Sequence, residues 1–79
     1  MLYYFDFTIN GRLVRDTIGS ELANPAAMRS EAVETLLAIA KDEGSEEDGQ
    51  RFVVSVRDGT RRVYELDLTL MATIPLSIA

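Results

Sequence analysis

Arg29 is the charged residue with the most chemistry open to it, because it falls in the middle of the apolar arc of a helix-like segment, 25–43. A guanidinium among aliphatic side chains either binds an anion in a pocket or forms half of an ion pair. Unpaired buried charge is costly, so pairing is the preferred reading. Asp16 is the acid that the first hairpin directs to the same end of the sheet. The sequence therefore predicts an Arg29–Asp16 ion pair bracing the entrance of the helix. On the opposite sheet face, Asp6 and Arg15 are expected as a direct cross-strand pair, worth at most about 1 kcal/mol if exposed. With Asp6 and Asp16 on opposite faces, no acid/base couple is expected from them.

The remaining charged groups read more plainly. Arg51, Arg57, Arg61 and Arg62 cluster on the second hairpin beside Tyr64 and form the local basic excess. Contact with RNA or an acidic partner is one reading. Asp58, Glu65 and Asp67 cancel most of that field, so ordinary solvated charge on a strand is preferred. The acidic stretch Asp42, Glu43, Glu46, Glu47 and Asp48 lacks the alternating ligand spacing of a calcium loop and reads as a solvated helix end. The chain has no histidine and no cysteine, which removes the usual zinc ligands and the commonest general base near neutral pH. No nucleophile elbow or phosphate-cradling glycine loop occurs. Neither enzymatic activity nor a cofactor or metal is expected.

Composition narrows the class further. Seventy-nine residues make one domain of marginal stability, the size at which oligomerisation commonly supplies what a small core lacks. The formal charge of −5 comes from the five acids of the loop region, without which eight acids face eight bases. A near-neutral body argues against a dedicated nucleic-acid binder. The opening Met1-Leu2-Tyr3-Tyr4-Phe5 lacks the basic flank of a signal peptide, and no apolar run is long enough to span a bilayer. A cytoplasmic location without membrane contact is the expectation.

Four extended segments and one helix must position these groups. In the first, 2–9, Tyr3, Phe5, Phe7 and Ile9 make one apolar face at a period of two. Asn10-Gly11 suits a type I′ turn, which sets Ile9 against Arg12, Thr8 against Leu13 and Phe7 against Val14 in the second segment, 12–17. Residues 17–23 connect to the helix, with Gly19 as pivot and Leu22 as a plug. Asn24 before Pro25 is an N-cap followed by a first-turn proline, and Gly44 suits a C′ residue. Met28, Ala32, Val33, Leu36, Leu37, Ile39 and Ala40 fill a broad apolar arc. After the acidic loop, 44–50, the third segment, 51–57, turns Phe52, Val54 and Val56 inward. The fourth, 62–74, alternates Tyr64, Leu66, Leu68 and Leu70. A two-residue Asp58-Gly59 turn would put Tyr64 and Leu66 on the wrong face. A three-residue connection, Asp58-Gly59-Thr60, is therefore predicted, with Val54 opposite Tyr64 and Phe52 opposite Leu66. The fourth segment then overhangs its partner and leads into an apolar tail, 75–79.

The runs Tyr4-Phe5-Asp6, Gly11-Arg12-Leu13-Val14-Arg15-Asp16, Gly19-Ser20-Glu21-Leu22, Ala27-Met28-Arg29-Ser30-Glu31-Ala32 and Val54-Ser55-Val56-Arg57-Asp58 together resemble a family of short bacterial proteins known only as a domain of unknown function. The resemblance covers nearly the whole chain and departs from the family at the second turn and the apolar tail. It implies no activity and no catalytic residues. A weaker likeness, over residues 3–43, is to HicB-type antitoxins, which also lead from a hairpin through a glycine-containing connection into a helix.

The expected fold is α+β, β-β-α-β-β: one antiparallel four-stranded sheet with a single helix on one face. Strand order 2-1-3-4 is preferred, with 2-1-4-3 as the alternative. The expected function is a small non-enzymatic protein-interaction module, a homodimer joined through the fourth strand and the uncovered sheet face. Leu70, Met71, Ile74, Leu2, Tyr4, Leu13 and Val53 are the interface candidates. The alternative is an antitoxin-like regulator that binds a partner protein and touches nucleic acid. An enzyme would need a deep pocket near Arg29.

Overall fold

The computed structural model describes residues 1–45 and 49–73. The chain runs β1 (Leu2–Ile9), β2 (Arg12–Val14), β3 (Ser20–Glu21), α1 (Pro25–Glu43), β4 (Gln50–Asp58) and β5 (Arg61–Leu70). The sheet is antiparallel, ordered β2-β1-β4-β5, with β3 also paired to β1. α1 covers one face, chiefly over β4. The order 2-1-3-4 expected for the four long segments is therefore the one formed. Among the described residues no helix is long and apolar enough to cross a membrane.

The first hairpin follows its turn chemistry. Asn10 and Gly11 take φ of 49° and 86°, the two positive angles that a type I′ turn demands. The register is Ile9↔Arg12, Thr8↔Leu13 and Phe7↔Val14. Asn10 also ties the turn to β4: its N–H donates to the Arg51 carbonyl and its Oδ1 accepts from the Arg51 N–H, each at 2.9 Å.

β2 stops at Val14, short of the expected 17. The chain then loops out and returns as β3, pairing Leu2↔Glu21 and Tyr3↔Ser20. β2 and β3 are thus two short pieces along one edge of β1, and residues 17–23 are more than a connection. Gly19, at φ 82°, makes the return possible. A Cβ there would stand 2.9 Å from Leu2 Cδ1 and 3.2 Å from the Tyr3 carbonyl oxygen.

Asn24 caps α1 by accepting from the Ala27 N–H at 2.8 Å, and Pro25 fills the first turn, where its missing donor is harmless. At the other end Gly44 has φ −63° and ψ 144°, which differs from the left-handed C′ geometry expected. Glycine is suited there for space, because a Cβ would run into the Ala40 carbonyl oxygen. Gln50 then clamps the helix end to β4: its Oε1 accepts from the Ser45 N–H at 2.9 Å and its Nε2 donates to the Ser45 carbonyl at 2.6 Å.

Tyr3, Phe5, Phe52, Val54 and Val56 from the sheet meet Met28, Ala32 and Leu36 from α1. The helical stripe is narrower than the sequence suggests. Its buried members recur every fourth residue, while Val33 and Leu37 remain 39% and 56% exposed. A single helix lying over β4 leaves its flank above β5 unfilled.

The second hairpin keeps the predicted parity by a different device. Its loop is the two-residue Gly59-Thr60, closed by the pair Asp58↔Arg61, and a bulge sits between the pairs Arg57↔Arg62 and Val56↔Tyr64. Val63 is the extra residue. The observed register is Val54↔Leu66 and Phe52↔Leu68, two residues from the expected one, yet each apolar side chain stays on the helix side. An even loop plus one bulge has the same effect on facing as an odd loop. The added pairing takes β5 to Leu70, opposite Gln50, which removes the expected overhang within 62–70. Residues 71–73 lie outside the strand. Ile74 and the tail 75–79 lie outside the described residues.

Candidate functional site

Alternation along β1 turns Asp6 to the face away from α1, and the register Tyr4↔Arg57 and Asp6↔Ser55 sets Arg57 diagonally beside it. Arg57 Nε donates to Asp6 Oδ2 at 2.6 Å, and Nη2 to Asp6 Oδ1 at 3.2 Å. The same guanidinium donates from Nη2 to the Asp16 carbonyl at 2.8 Å and from Nη1 to the Gly59 carbonyl at 3.0 Å. It lies over the Tyr4 ring, 4.7 Å from the centroid. Both side chains are largely sheltered, 14% and 10% exposed for Arg57 and Asp6. One planar fork thus joins β1, the loop after β2, and the β4–β5 turn.

Asp16 completes the network from the loop. Its Oδ2 accepts from the Phe5 N–H at 3.0 Å, and its Oδ1 from the Ile18 and Gly19 N–H groups, each at 3.0 Å. Its own N–H donates to Asp6 Oδ1 at 2.9 Å. The carboxylate therefore stands in for the strand carbonyl that would otherwise have satisfied Phe5. Hydrogen bonding from Arg57 outweighs burial and holds the Asp6 carboxyl below its ordinary value of 3.8, helped by the nearby charge of Arg15. For Asp16, burial pushes upward, but the N–H groups of Gly19, Phe5 and Ile18 prevail and its carboxyl is also lowered.

Two expected ion pairs are thereby corrected. Asp16 does not meet Arg29, which is exposed on α1 beside a shallow hollow with Ala26, Ser30 and Tyr64. Asp6 pairs with Arg57, while Arg15 stays exposed and acts on Asp6 through its field alone. Both differences involve the expected extension of β2 past Val14, and Arg29 is in addition outside the narrow buried stripe of α1. Once the chain leaves the ladder at Val14, Asp16 folds back toward Asp6. The two acids then share one network, although their places in a continued strand would put them on opposite faces. Nothing in the sequence set the β1–β4 register, so the pairing of residues 6 and 57 was not legible.

The basic cluster is dispersed by the same geometry. Arg57 is spent internally, and Arg51 grips Asp67 on the exposed side of the sheet, Nε to Oδ2 at 3.0 Å. The bulge puts Arg62 on the same side as Glu65, 3.9 Å away.

The interface candidates separate into two groups. Leu2 (43% exposed), Tyr4, Leu13 (64% exposed) and Val53 do lie on the uncovered face. Asp6, Ser55 and Arg57 stand between the Leu2–Tyr4 end and the Leu13–Val53 end, so these four make no continuous apolar patch. Leu70 and Met71 are 39% and 70% exposed. Leu70 points to the helix side, where Val33, Leu37, Leu66 and Leu68 line an almost wholly apolar groove of about 200 Å³. An apolar groove therefore follows β5 on the covered face, and a second hollow, lined in part by Phe5, Phe7, Val14 and Ile18, opens on the β2 side.

No curated protein and no solved structure matches the chain. A family model described as a domain of unknown function, DUF6894, matches residues 2–69, from the start of β1 almost to the end of β5. The chain is a member of this DUF6894 family, whose function is not known.

Proposed function

We propose that this domain is a small non-enzymatic interaction module of the bacterial cytoplasm that works as a homodimer, joined along the outer edge of β5. The observation that carries this reading is the asymmetry of the sheet. β5 is ten residues long and, among the described residues, pairs with β4 alone. A strand edge of that length presents a row of backbone donors and acceptors that another strand can satisfy. The apolar groove between β5 and the flank of α1 adds side-chain surface to the same edge. Asp6 and Asp16 are each engaged by internal donors, which supports a structural role for both.

Sedimentation velocity over a concentration series tests the reading. A dimer that dissociates on dilution is expected, and Leu70→Lys, at an exposed position of β5, should shift it to monomer while circular dichroism stays native. A wild-type chain that remains monomeric at high micromolar concentration overturns the proposal.

A further inference from the structure

The charges on β5 select how two copies meet. Resting on the self-association reading, we infer that β5 pairs antiparallel with β5 of a second copy about a two-fold axis through Leu68. Directly opposed residues in such a ladder share a face, so the axis must pass through a residue. From Tyr64 onward the uncovered face of β5 carries Glu65, Asp67 and Thr69, and the covered face carries Leu66, Leu68 and Leu70.

An axis through Glu65 or Asp67 sets that acid against its own copy. An axis through Leu66 sets Glu65 against Asp67. Like charges directly opposed are destabilising. An axis through Tyr64 runs the ladder into the Val63 bulge, beyond which Arg62 has changed face. Leu68 is the first position free of these conflicts, and it keeps residues 66–70 paired, more than any axis nearer the end of the strand. Asp67 then faces Thr69 of the second copy. The diagonal approach of the two Asp67 carboxylates is offset by the Arg51 that holds each one.

On the covered side this register stacks Leu68 on its own copy and Leu66 on Leu70. The exposed Val33 and Leu37 of each α1 flank the seam. The occupant that this pattern fits is a second copy, because with Leu68 on the axis β5 meets its own sequence with leucine opposite leucine and no like charges directly opposed.

The chain contains no cysteine, so single-cysteine variants report the register directly. Leu68→Cys should form a covalent dimer on mild oxidation, several-fold more than Leu66→Cys or Leu70→Cys alone, whereas a mixture of those two should cross-link with each other. Thr69→Cys mixed with Asp67→Cys repeats the test on the exposed face, should a change at Leu68 disturb folding. A wild-type dimer whose Leu66→Cys variant cross-links to itself as well as Leu68→Cys does overturns this register and leaves self-association standing. A monomer by sedimentation overturns both.

Discussion

Along one edge of the sheet the chain offers β2 and β3, three and two residues long, separated by a loop whose Asp16 carboxylate occupies the donors between them. Along the other edge β5 runs for ten residues with apolar side chains beside it. The first edge is protected in the usual ways, by shortness, by interruption and by a charged group set against the exposed backbone. The second carries Arg61, Arg62, Glu65, Asp67 and a bulge near its start, but runs without interruption from Tyr64 to Leu70. Short protected edges resist pairing with other chains, so the contrast points to β5 as the edge left available. The Asp6–Arg57–Asp16 network is what keeps the first edge closed, and the largest mutational effects should be found there.

Asp6→Ala should be the most damaging single change. It strips Arg57 of its carboxylate and the Asp16 N–H of its acceptor, leaving a sheltered guanidinium unpaired. Breaking such a pair costs about 3 kcal/mol, readable as a large fall in the urea midpoint. The pH dependence has a definite sign. Both carboxyls are lowered in the folded state. Their contribution is therefore complete above the unfolded value near 3.8 and is lost as pH falls through the lower folded values. Acid titration of the wild type should show this loss below about pH 4, and Asp6→Ala should show a shallower slope in that range. An identical slope would mean that the network is not what sets acid stability.

Gly19→Ala attacks the same edge from the backbone. The left-handed φ of 82° and the approach of Leu2 Cδ1 at 2.9 Å together make a cost of about 2 kcal/mol expected. Gly11→Ala is the matched control, with φ 86° and open space around the added carbon, and should cost about 1 kcal/mol from conformation alone. Equal losses at the two glycines would show that the packing of Leu2 over the loop contributes nothing.

The parts legible in the sequence are those governed by local rules. Asn10-Gly11 dictated the first hairpin register, and Asn24-Pro25 marked where the helix begins. Alternation in Phe52-Val54-Val56 and Tyr64-Leu66-Leu68 set the facing of the second hairpin. The same alternation left its register two residues out, because a bulge and an odd loop leave identical periodicity. β3 was hidden because Ser20-Glu21 has no apolar pattern and exists only through its pairing with Leu2 and Tyr3. Arg57 reads as solvated charge in the sequence because its partners come from β1 and the loop after β2, and only the β1–β4 register brings them together. The helix-side groove at β5 was missed for a related reason. Helical periodicity reports which side chains are apolar, but not how far a single helix reaches across a sheet, so Val33 and Leu37 read as core.

On the uncovered face near the other end of β4, Arg51–Asp67 supplies the mildest contrast with Arg57–Asp6. Arg51 also makes a charge-assisted pair, and the Asp67 carboxyl is lowered chiefly by the hydrogen bond from Arg51. Its side chains, however, are 64% and 42% exposed, and among the described residues no carbonyl or ring gathers around the guanidinium. Solvent screening and the entropy of fixing two mobile side chains leave such pairs little net effect on stability. Arg51→Ala should therefore leave the thermal midpoint of the monomer unchanged within error. In the proposed dimer, the same substitution removes the charge that separates the two Asp67 carboxylates across the axis. It should weaken self-association measurably, most of all at low ionic strength where the carboxylates repel furthest. Adding salt should then restore much of the lost affinity. If Arg51→Ala lowers the monomer midpoint while dimerisation is untouched, the Leu68-centred arrangement loses its electrostatic basis.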